Sequence, residues 1–272
     1  MNILMPPDRK LTIVVILWMV LPFTVAAATA SGAADPRSLN LSLLDAAKKG
    51  EAALVESRLL DGASISTRDR FGNTALIYAA RGGHFRTARL LIEAGANVNQ
   101  PNTNGNTPLF EAAGSGNIDL VRLMVEHEAD PNLVSMKQVS PLANAVYHQH
   151  ASIADFLLRH DAWPDFVDNS GKNSAVYAAA MGQTEVLRSI LEFGGEHAIA
   201  VDTRYAHGLT LLMWAAGYGH AESVNLLVNR GAMLDLTDDR GKTALMMAEE
   251  NGNADAIQIL LDASVGSTGI SD

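Results

Sequence analysis

The chain of 272 residues contains no cysteine. This absence excludes disulfide bonds, thiolate-ligated metal sites, cysteine nucleophiles and lipid attachment through an N-terminal cysteine. Basic residues are also outnumbered, since 20 Lys and Arg stand against 30 Asp and Glu and give a net charge of −10. Because phosphate binding requires clustered Lys and Arg, this balance argues against a nucleic-acid partner.

The sequence motifs of common enzymes are absent as well. The chain contains no G-x-S-x-G nucleophile elbow, no H-E-x-x-H zinc motif and no G-x-x-x-x-G-K-[ST] phosphate loop. His148 and His150 form an H-x-H pair, but no third ligand stands at a useful spacing for zinc. We therefore predict no catalytic residue, no metal and no cofactor.

An apolar run near the N-terminus indicates export. Residues 11–25 form a predominantly apolar run interrupted by Pro22, and the following "AAATA" places Ala28 and Ala30 in the A-x-A arrangement that signal peptidase accepts. We expect residues 1–30 to be a signal peptide, cleaved near Ala30. The protein would then be periplasmic in a bacterium or secreted, where a chain without free thiols is well suited.

A linker is predicted after the signal peptide, and a membrane anchor is the alternative to cleavage. Residues 31–40 are expected to form a short linker. The alternative is an uncleaved membrane anchor, because residues 11–28 reach the lower limit of about 17 residues for a spanning helix. Contact with a membrane is expected only in that case.

The remainder of the chain repeats itself. The string "GNTALIYAARGGH" at 72–84 returns as "GNTPLFEAAGSGN" at 105–117, as "GLTLLMWAAGYGH" at 208–220 and as "GKTALMMAEENGN" at 241–253. Seven units follow one another at intervals of 33 residues, except for one interval of 37. Self-similarity at this period indicates a solenoid. The first positions of the units are Leu41, Thr74, Thr107, Ser140, Asn173, Thr210 and Thr243.

Small residues recur at fixed places in each unit. The sixth position is alanine in all seven units, which lets neighbouring helices approach closely. The tenth position is glycine in six units, which suits a helix end with a positive φ, and Gln149 is the exception. Glu128 and Asp161 replace the glycine that ends the second helix in other units. The alanines are Ala46, Ala79, Ala112, Ala145, Ala178, Ala215 and Ala248.

These residues resemble ankyrin repeats. The similarity is carried by "TALIYAARGGH", "TPLFEAAGSGN" and "TALMMAEENGN", and by the later stretches "LLIEAGANVN", "LMVEHEADPN" and "LLVNRGAMLD". It covers residues 41–266 and leaves 267–272 as a tail. The resemblance implies an all-α solenoid of about seven helix–turn–helix units with β-turn fingers, in which the first helices line a concave groove.

Large side chains on the first helices and fingers are the candidates for binding a partner, because Tyr and Trp combine apolar area with a polar tip. The four extra residues of the long interval are expected to lengthen one finger, carrying Tyr205 over the groove. Four finger residues are basic and would suit an acidic patch on a partner. The candidates are Tyr78, Tyr147, Tyr177, Tyr205, Trp214, Tyr218, Arg81, Glu111, Arg70, Lys137, Arg204 and Arg240.

The expected function is therefore a non-catalytic scaffold that binds a protein partner through its groove and fingers. The resemblance to exported bacterial ankyrin-repeat proteins implies partners such as a toxin to be neutralised or a stress enzyme to be supported. Two alternatives remain open. One is a membrane-anchored scaffold, and the other is an enzyme with a site near residues 196–208, where His197 and His207 flank Asp202 and Arg204.

Overall fold

The computed structural model describes residues 35–268. Within this range the chain forms helices joined by turns and contains no strand, which confirms the predicted all-α class. A short 3₁₀ turn covers Ala206–Gly208. The helices are α1 (Pro36–Lys49), α2 (Ala52–Leu60), α3 (Ala75–Arg81), α4 (Phe85–Glu93), α5 (Pro108–Ser115), α6 (Ile118–Glu126), α7 (Pro141–Tyr147), α8 (Ala151–Leu158), α9 (Ser174–Ala180), α10 (Thr184–Glu192), α11 (Leu211–Gly217), α12 (Ala221–Asn229), α13 (Ala244–Glu250) and α14 (Ala254–Thr268).

The helices form two layers. First helices of successive units pack on one another from α1 through α13, and second helices do the same from α2 through α14. The sixth-position alanines are all fully buried between the first helices, as the repeat pattern predicts. A methyl group is the largest side chain that such close helix packing admits without displacing a neighbour.

A polar side chain begins the first helix in six of the described units. Its oxygen accepts a hydrogen bond from the backbone N–H three residues later, at 3.0 to 3.3 Å. This bond satisfies one of the donors that a helix start leaves unpaired. The capping residues are Thr74, Thr107, Ser140, Asn173, Thr210 and Thr243.

The first unit begins earlier than predicted, so the proposed linker 31–40 is too long. Leu41 has no side-chain oxygen to cap a helix, and α1 extends back to Pro36. The Asp35 side chain accepts from the backbone N–H of Arg37 at 3.3 Å, and Pro36 fits the first helical position because it has no N–H to satisfy. Residues 31–34 and the proposed signal peptide lie outside the described residues.

The C-terminal boundary also differs from the prediction. The last helix, α14, continues to Thr268, so residues 267 and 268 of the proposed tail are helical. The rest of that tail, 269–272, lies outside the described residues.

The four extra residues lie elsewhere than predicted. Finger 205–209 has five residues like the other fingers and closes with the same hydrogen bond from the first backbone N–H to the fifth carbonyl, Tyr205 N to Leu209 O at 2.9 Å. The additional length falls between the end of α10 at Glu192 and this finger. Lengthening a loop after a second helix leaves the fingers in register, so the solenoid continues across it.

Histidines at the eleventh position link successive units. The Nε2–H of His84 donates to the Lys48 carbonyl at 3.1 Å, and His220 donates to the Ala180 carbonyl at 2.9 Å. His150 makes the equivalent bond to Gly114 at 3.2 Å. Since these carbonyls lie at helix ends, the histidines satisfy acceptors that the helices leave free. Their role is structural.

Three helix-end residues adopt the left-handed conformation without being glycine. Glu128, Gln149 and Asp161 have φ of 65°, 60° and 61°. Each stands where other units carry glycine, so the strain expected from the sequence is present.

We expect Glu128→Gly to stabilise the protein by up to about 1 kcal/mol, because glycine adopts this backbone conformation without a Cβ penalty. The change keeps the Glu128 carbonyl, which accepts from Asn99 Nδ2 at 2.9 Å. Glu56→Gly, in the exposed interior of α2, is the matched control and should destabilise by about 1 kcal/mol. Urea unfolding of both variants checks the opposite signs, and a loss of stability in both would contradict the assignment.

Candidate protein-binding groove

The fingers form one edge of the candidate site. Each is a five-residue turn closed by a hydrogen bond of 2.8 to 3.1 Å between its first backbone N–H and its fifth carbonyl. Neighbouring fingers are joined by backbone bonds such as Thr103 N to Phe71 O at 3.0 Å and Met136 N to Asn104 O at 2.8 Å. The fingers are therefore held in a row. They are residues 69–73, 102–106, 135–139, 168–172, 205–209 and 238–242.

A groove lies between this row of fingers and the first helices. One hollow in it has a volume of about 690 Å³ and spans α5, α7 and α9 with two fingers. A second hollow of about 430 Å³ lies at α11 and α13. The lining residues of the first are Asn104, Asn106, Phe110, Ser135, Met136, Lys137, Val139, Asn144, Tyr147, His148 and Tyr177.

Two of the predicted aromatic residues are open to a partner. Tyr147 is 51% exposed and Tyr218 is 61% exposed. Tyr147 packs edge to face on Tyr177, with 5.6 Å between ring centres, and Tyr218 stacks on Trp214 at 5.9 Å. Neighbouring rings restrict the motion of both side chains, which lowers the entropy that a partner must overcome when it binds.

Two other tyrosines are half-buried and fixed by the fingers. The Tyr78 hydroxyl donates to Asp69 Oδ2 at 2.5 Å, and the Tyr177 hydroxyl donates to Asp168 Oδ2. Burial, followed by the hydrogen bond to the carboxylate, raises the pKa of Tyr177 to about 12 and that of Tyr78 above its usual value. Burial opposes ionisation of Asp168, but hydrogen bonds from Tyr177, Ser170 and Lys172 outweigh it and lower the Asp168 pKa. Both tyrosines present only part of the ring to the groove.

Tyr205 is not the exposed finger residue that the sequence predicts. It is half-buried, and its hydroxyl accepts from Asn173 Nδ2 at 3.1 Å. Burial raises its pKa to about 12. Tyr205 stands at the first finger position, which Asp69 and Asp168 occupy in their repeats. The indole N–H of Trp214, at the place of Tyr78 and Tyr177, is consequently buried without a hydrogen-bond partner among the described residues.

Several charged candidates are paired within the protein. Arg81 makes a two-bond contact with Glu111, at 2.8 and 3.1 Å, and the Glu111 side chain is only 11% exposed. Arg240 bonds the Asp238 carboxylate at 2.8 Å. The first contact joins two neighbouring repeats, which the position within one repeat does not reveal. The second lies within finger 238–242. Both pairs leave less charge for a partner.

The other basic candidates are free. Arg70, Lys137 and Arg204 are exposed, and none forms an ion pair within residues 35–268. The sequence reasoning missed Met136, which lines the first hollow, and Lys172, whose ammonium group lies over the rings of Tyr177 and Trp214. Met136 is 70% exposed. Its place next to Lys137 in the same finger could have identified it as a candidate from the sequence.

The histidines near residues 196–208, where an enzyme site was the alternative, do not converge on one another. His197 stacks on Trp163 at 3.9 Å between ring centres, and its Nδ1 lies 2.9 Å from Asp165 Oδ2. His207 is an exposed residue of finger 205–209. Residues 35–268 contain no group of three His, Asp or Glu placed to hold a metal ion. No helix in the same range is long and apolar enough to cross a membrane.

A family model described as ankyrin repeats (3 copies) matches residues 43–135 and 193–269, more than half of the chain. The chain belongs to the ankyrin-repeat family. Ankyrin repeats generally mediate protein–protein interaction and are typically non-catalytic, so a protein partner is indicated.

Three curated relatives show how far this ankyrin-repeat similarity extends. Ankyrin repeat domain-containing protein 63 of Homo sapiens is 35% identical over 99 residues, covering 35% of this chain and 26% of the human protein. The E3 ubiquitin-protein ligase hecd-1 of Caenorhabditis elegans is 34% identical over 94 residues, covering 35% of this chain and 3% of the ligase. The probable E3 ubiquitin-protein ligase XBOS32 of Oryza sativa is 38% identical over 93 residues, covering 34% of this chain and 18% of that protein.

The matched part of these relatives is therefore small. The chain spans about a quarter of the human protein and less of the two ligases. The similarity concerns the repeats that they share with this ankyrin-repeat protein.

Proposed function

We propose that this ankyrin-repeat protein is a non-catalytic scaffold that captures a protein partner in its groove after export to the periplasm or the cell exterior. The observation that carries the proposal is the exposure of Tyr147 and Tyr218. Each side chain is more than half exposed, although most other residues of the helix beside it, α7 or α11, are buried in the core. Exposed aromatics on a rigid concave surface are typical of binding sites, because they bury large areas at low entropic cost. The partner we propose is either a toxin that the protein neutralises or a stress enzyme that it supports.

Export rests on the N-terminal sequence, which lies outside the described residues. The intact mass of the protein recovered from the producing cell tests this part. A mass that begins near Ser31 supports cleavage near Ala30 and a periplasmic or secreted protein. A mass that includes residues 1–30 would instead favour the membrane-anchored scaffold.

Site-specific photo-crosslinking in the producing cell tests the groove. We expect a photoreactive phenylalanine analogue at Tyr147 or Tyr218 to form one defined covalent adduct with a partner, because both side chains are exposed and line hollows of the groove. The matched control places the same analogue at Arg86, which is exposed on the second helix α4. Mass spectrometry of the adducts identifies the partner. Adducts at Arg86 and none at the two groove positions would show that the partner binds elsewhere.

A further inference from the structure

The carboxylates of the central groove are already satisfied by the protein itself. Asp168 accepts hydrogen bonds from the Tyr177 hydroxyl, from Ser170 N at 2.8 Å, from Ser170 Oγ at 2.7 Å and from Lys172 N at 3.0 Å. The charge of Glu111 is balanced by Arg81. Asp168 keeps its negative charge, since its donors are neutral groups, but these bonds occupy its oxygens and fix the carboxylate in place.

The cations of the same section are not neutralised. Lys172 Nζ lies 5.4 Å from the ring centre of Trp214 and 5.9 Å from that of Tyr177, so the ammonium group rests between two aromatic faces. Lys137 is exposed in the preceding finger. Within residues 35–268 neither lysine forms an ion pair with a carboxylate. Cation–π contacts fix the position of Lys172 but leave its charge available.

Apolar surface adjoins these two lysines. Met136 is 70% exposed beside Lys137, and Tyr147 projects from α7 into the hollow that both residues line. A ligand here meets positive charge and apolar side chains together, on a protein whose overall charge is negative.

We propose that this section of the groove recognises an acidic protein segment that alternates carboxylates with aromatic or aliphatic side chains. The proposal rests on the proposed function and names the chemistry of its partner. Carboxylates of the segment pair with Lys172 and Lys137, while its apolar side chains pack on Met136 and Tyr147. Charge complementarity selects this occupant, since a basic segment would meet the ammonium group of Lys137 in the hollow and that of Lys172 over the adjoining Tyr177 ring, while the hollow is lined by no Asp or Glu among the described residues.

Two lysines beside aromatic rings also resemble the elements of a single-stranded nucleic-acid site. The charge balance of the chain favours the protein segment, because phosphate tracking requires a continuous basic path and the chain carries a net charge of −10. Oligothymidylate therefore belongs in the test as a competing ligand.

The test uses the exported chain and a fluorescent copolymer of glutamate and tyrosine as the probe, with binding followed by fluorescence anisotropy at low salt. We expect saturable binding that weakens roughly threefold in Lys172→Gln and roughly tenfold in the double variant with Lys137→Gln, as exposed charge pairs are worth this much. Added salt should weaken the wild type more than the double variant. The matched control is Arg86→Gln, which should bind like the wild type. Arg86 is an exposed cation on α4 that forms no ion pair within residues 35–268.

The outcomes separate this proposal from the proposed function. If Arg86→Gln and Lys172→Gln weaken binding of the copolymer equally, the binding depends only on the net charge of the protein, and the proposal is overturned. Stronger binding of a lysine–tyrosine copolymer or of oligothymidylate would overturn it as well. If the glutamate–tyrosine copolymer does not bind while Tyr147 still crosslinks to a partner, the acidic assignment is wrong and the groove function stands. Circular dichroism confirms that each variant is folded.

Discussion

Leu157→Ala lowers the free energy of unfolding by about 2–5 kcal/mol. Leu157 lies in α8, has no exposed surface and belongs to the continuous core of the solenoid. Truncation removes its buried methyl groups and leaves a cavity, because well-packed neighbours relax only partly. In a solenoid each repeat is stabilised by its neighbours, so destabilising one central repeat also lowers the stability of the repeats next to it.

Urea unfolding followed by circular dichroism measures this loss. Leu60→Ala is the matched control, because it removes the same atoms from a side chain that is 83% exposed at the end of α2. We expect the control to change stability by no more than about 0.5 kcal/mol. Similar losses in the two variants would mean that Leu157 is not part of a packed core.

Gly182→Ala is expected to destabilise by about 2–4 kcal/mol, the sum of two separate costs. Gly182 has φ +65°, which costs an alanine about 1 kcal/mol relative to glycine. A Cβ at this position would also lie 2.5 Å from Nδ1 and 2.8 Å from Cγ of the His220 ring. The ring cannot move away freely, since its Nε2 donates to the Ala180 carbonyl at 2.9 Å.

Gly252→Ala separates these two costs. Gly252 occupies the same tenth position in the last repeat with φ +70°, but a Cβ there meets no atom within 4 Å. We expect it to lose only about 1 kcal/mol, the backbone cost. Thermal unfolding of both variants gives the difference, which measures the packing of the histidine against the glycine. Equal losses would show that the contact between Gly182 and His220 contributes nothing.

Six of the predicted unit starts coincide with helix caps, because a helix start depends on local chemistry. A Thr, Ser or Asn oxygen reaches a backbone N–H three residues ahead, so Thr74 or Asn173 marks a helix start without reference to the rest of the chain. The same rule would have corrected the linker, because Asp35 followed by Pro36 is also a helix-start signal. The period of 33 residues concealed it, since it placed the start of the unit at Leu41.

The candidate groove was only partly predictable from residue type. Tyr147, Tyr205 and Tyr218 were all expected to be exposed, yet Tyr205 is half-buried against Asn173. Arg81 and Glu111 were expected to face a partner but bind each other across neighbouring repeats. In each case the side chain of another repeat decides the outcome, and the position within one repeat does not specify that neighbour.

The sequence by itself determined the repeat, the two helices of each unit, their caps and the buried alanine row, because each of these is set by contacts within a unit and by a fixed spacing between units. Tertiary structure alone decided which aromatic rings stay open, which charges are neutralised, and where the four extra residues lie. The exposure of a side chain and its pairing with a charge depend on contacts between two neighbouring repeats. These contacts are not specified by the position of a residue within its own repeat.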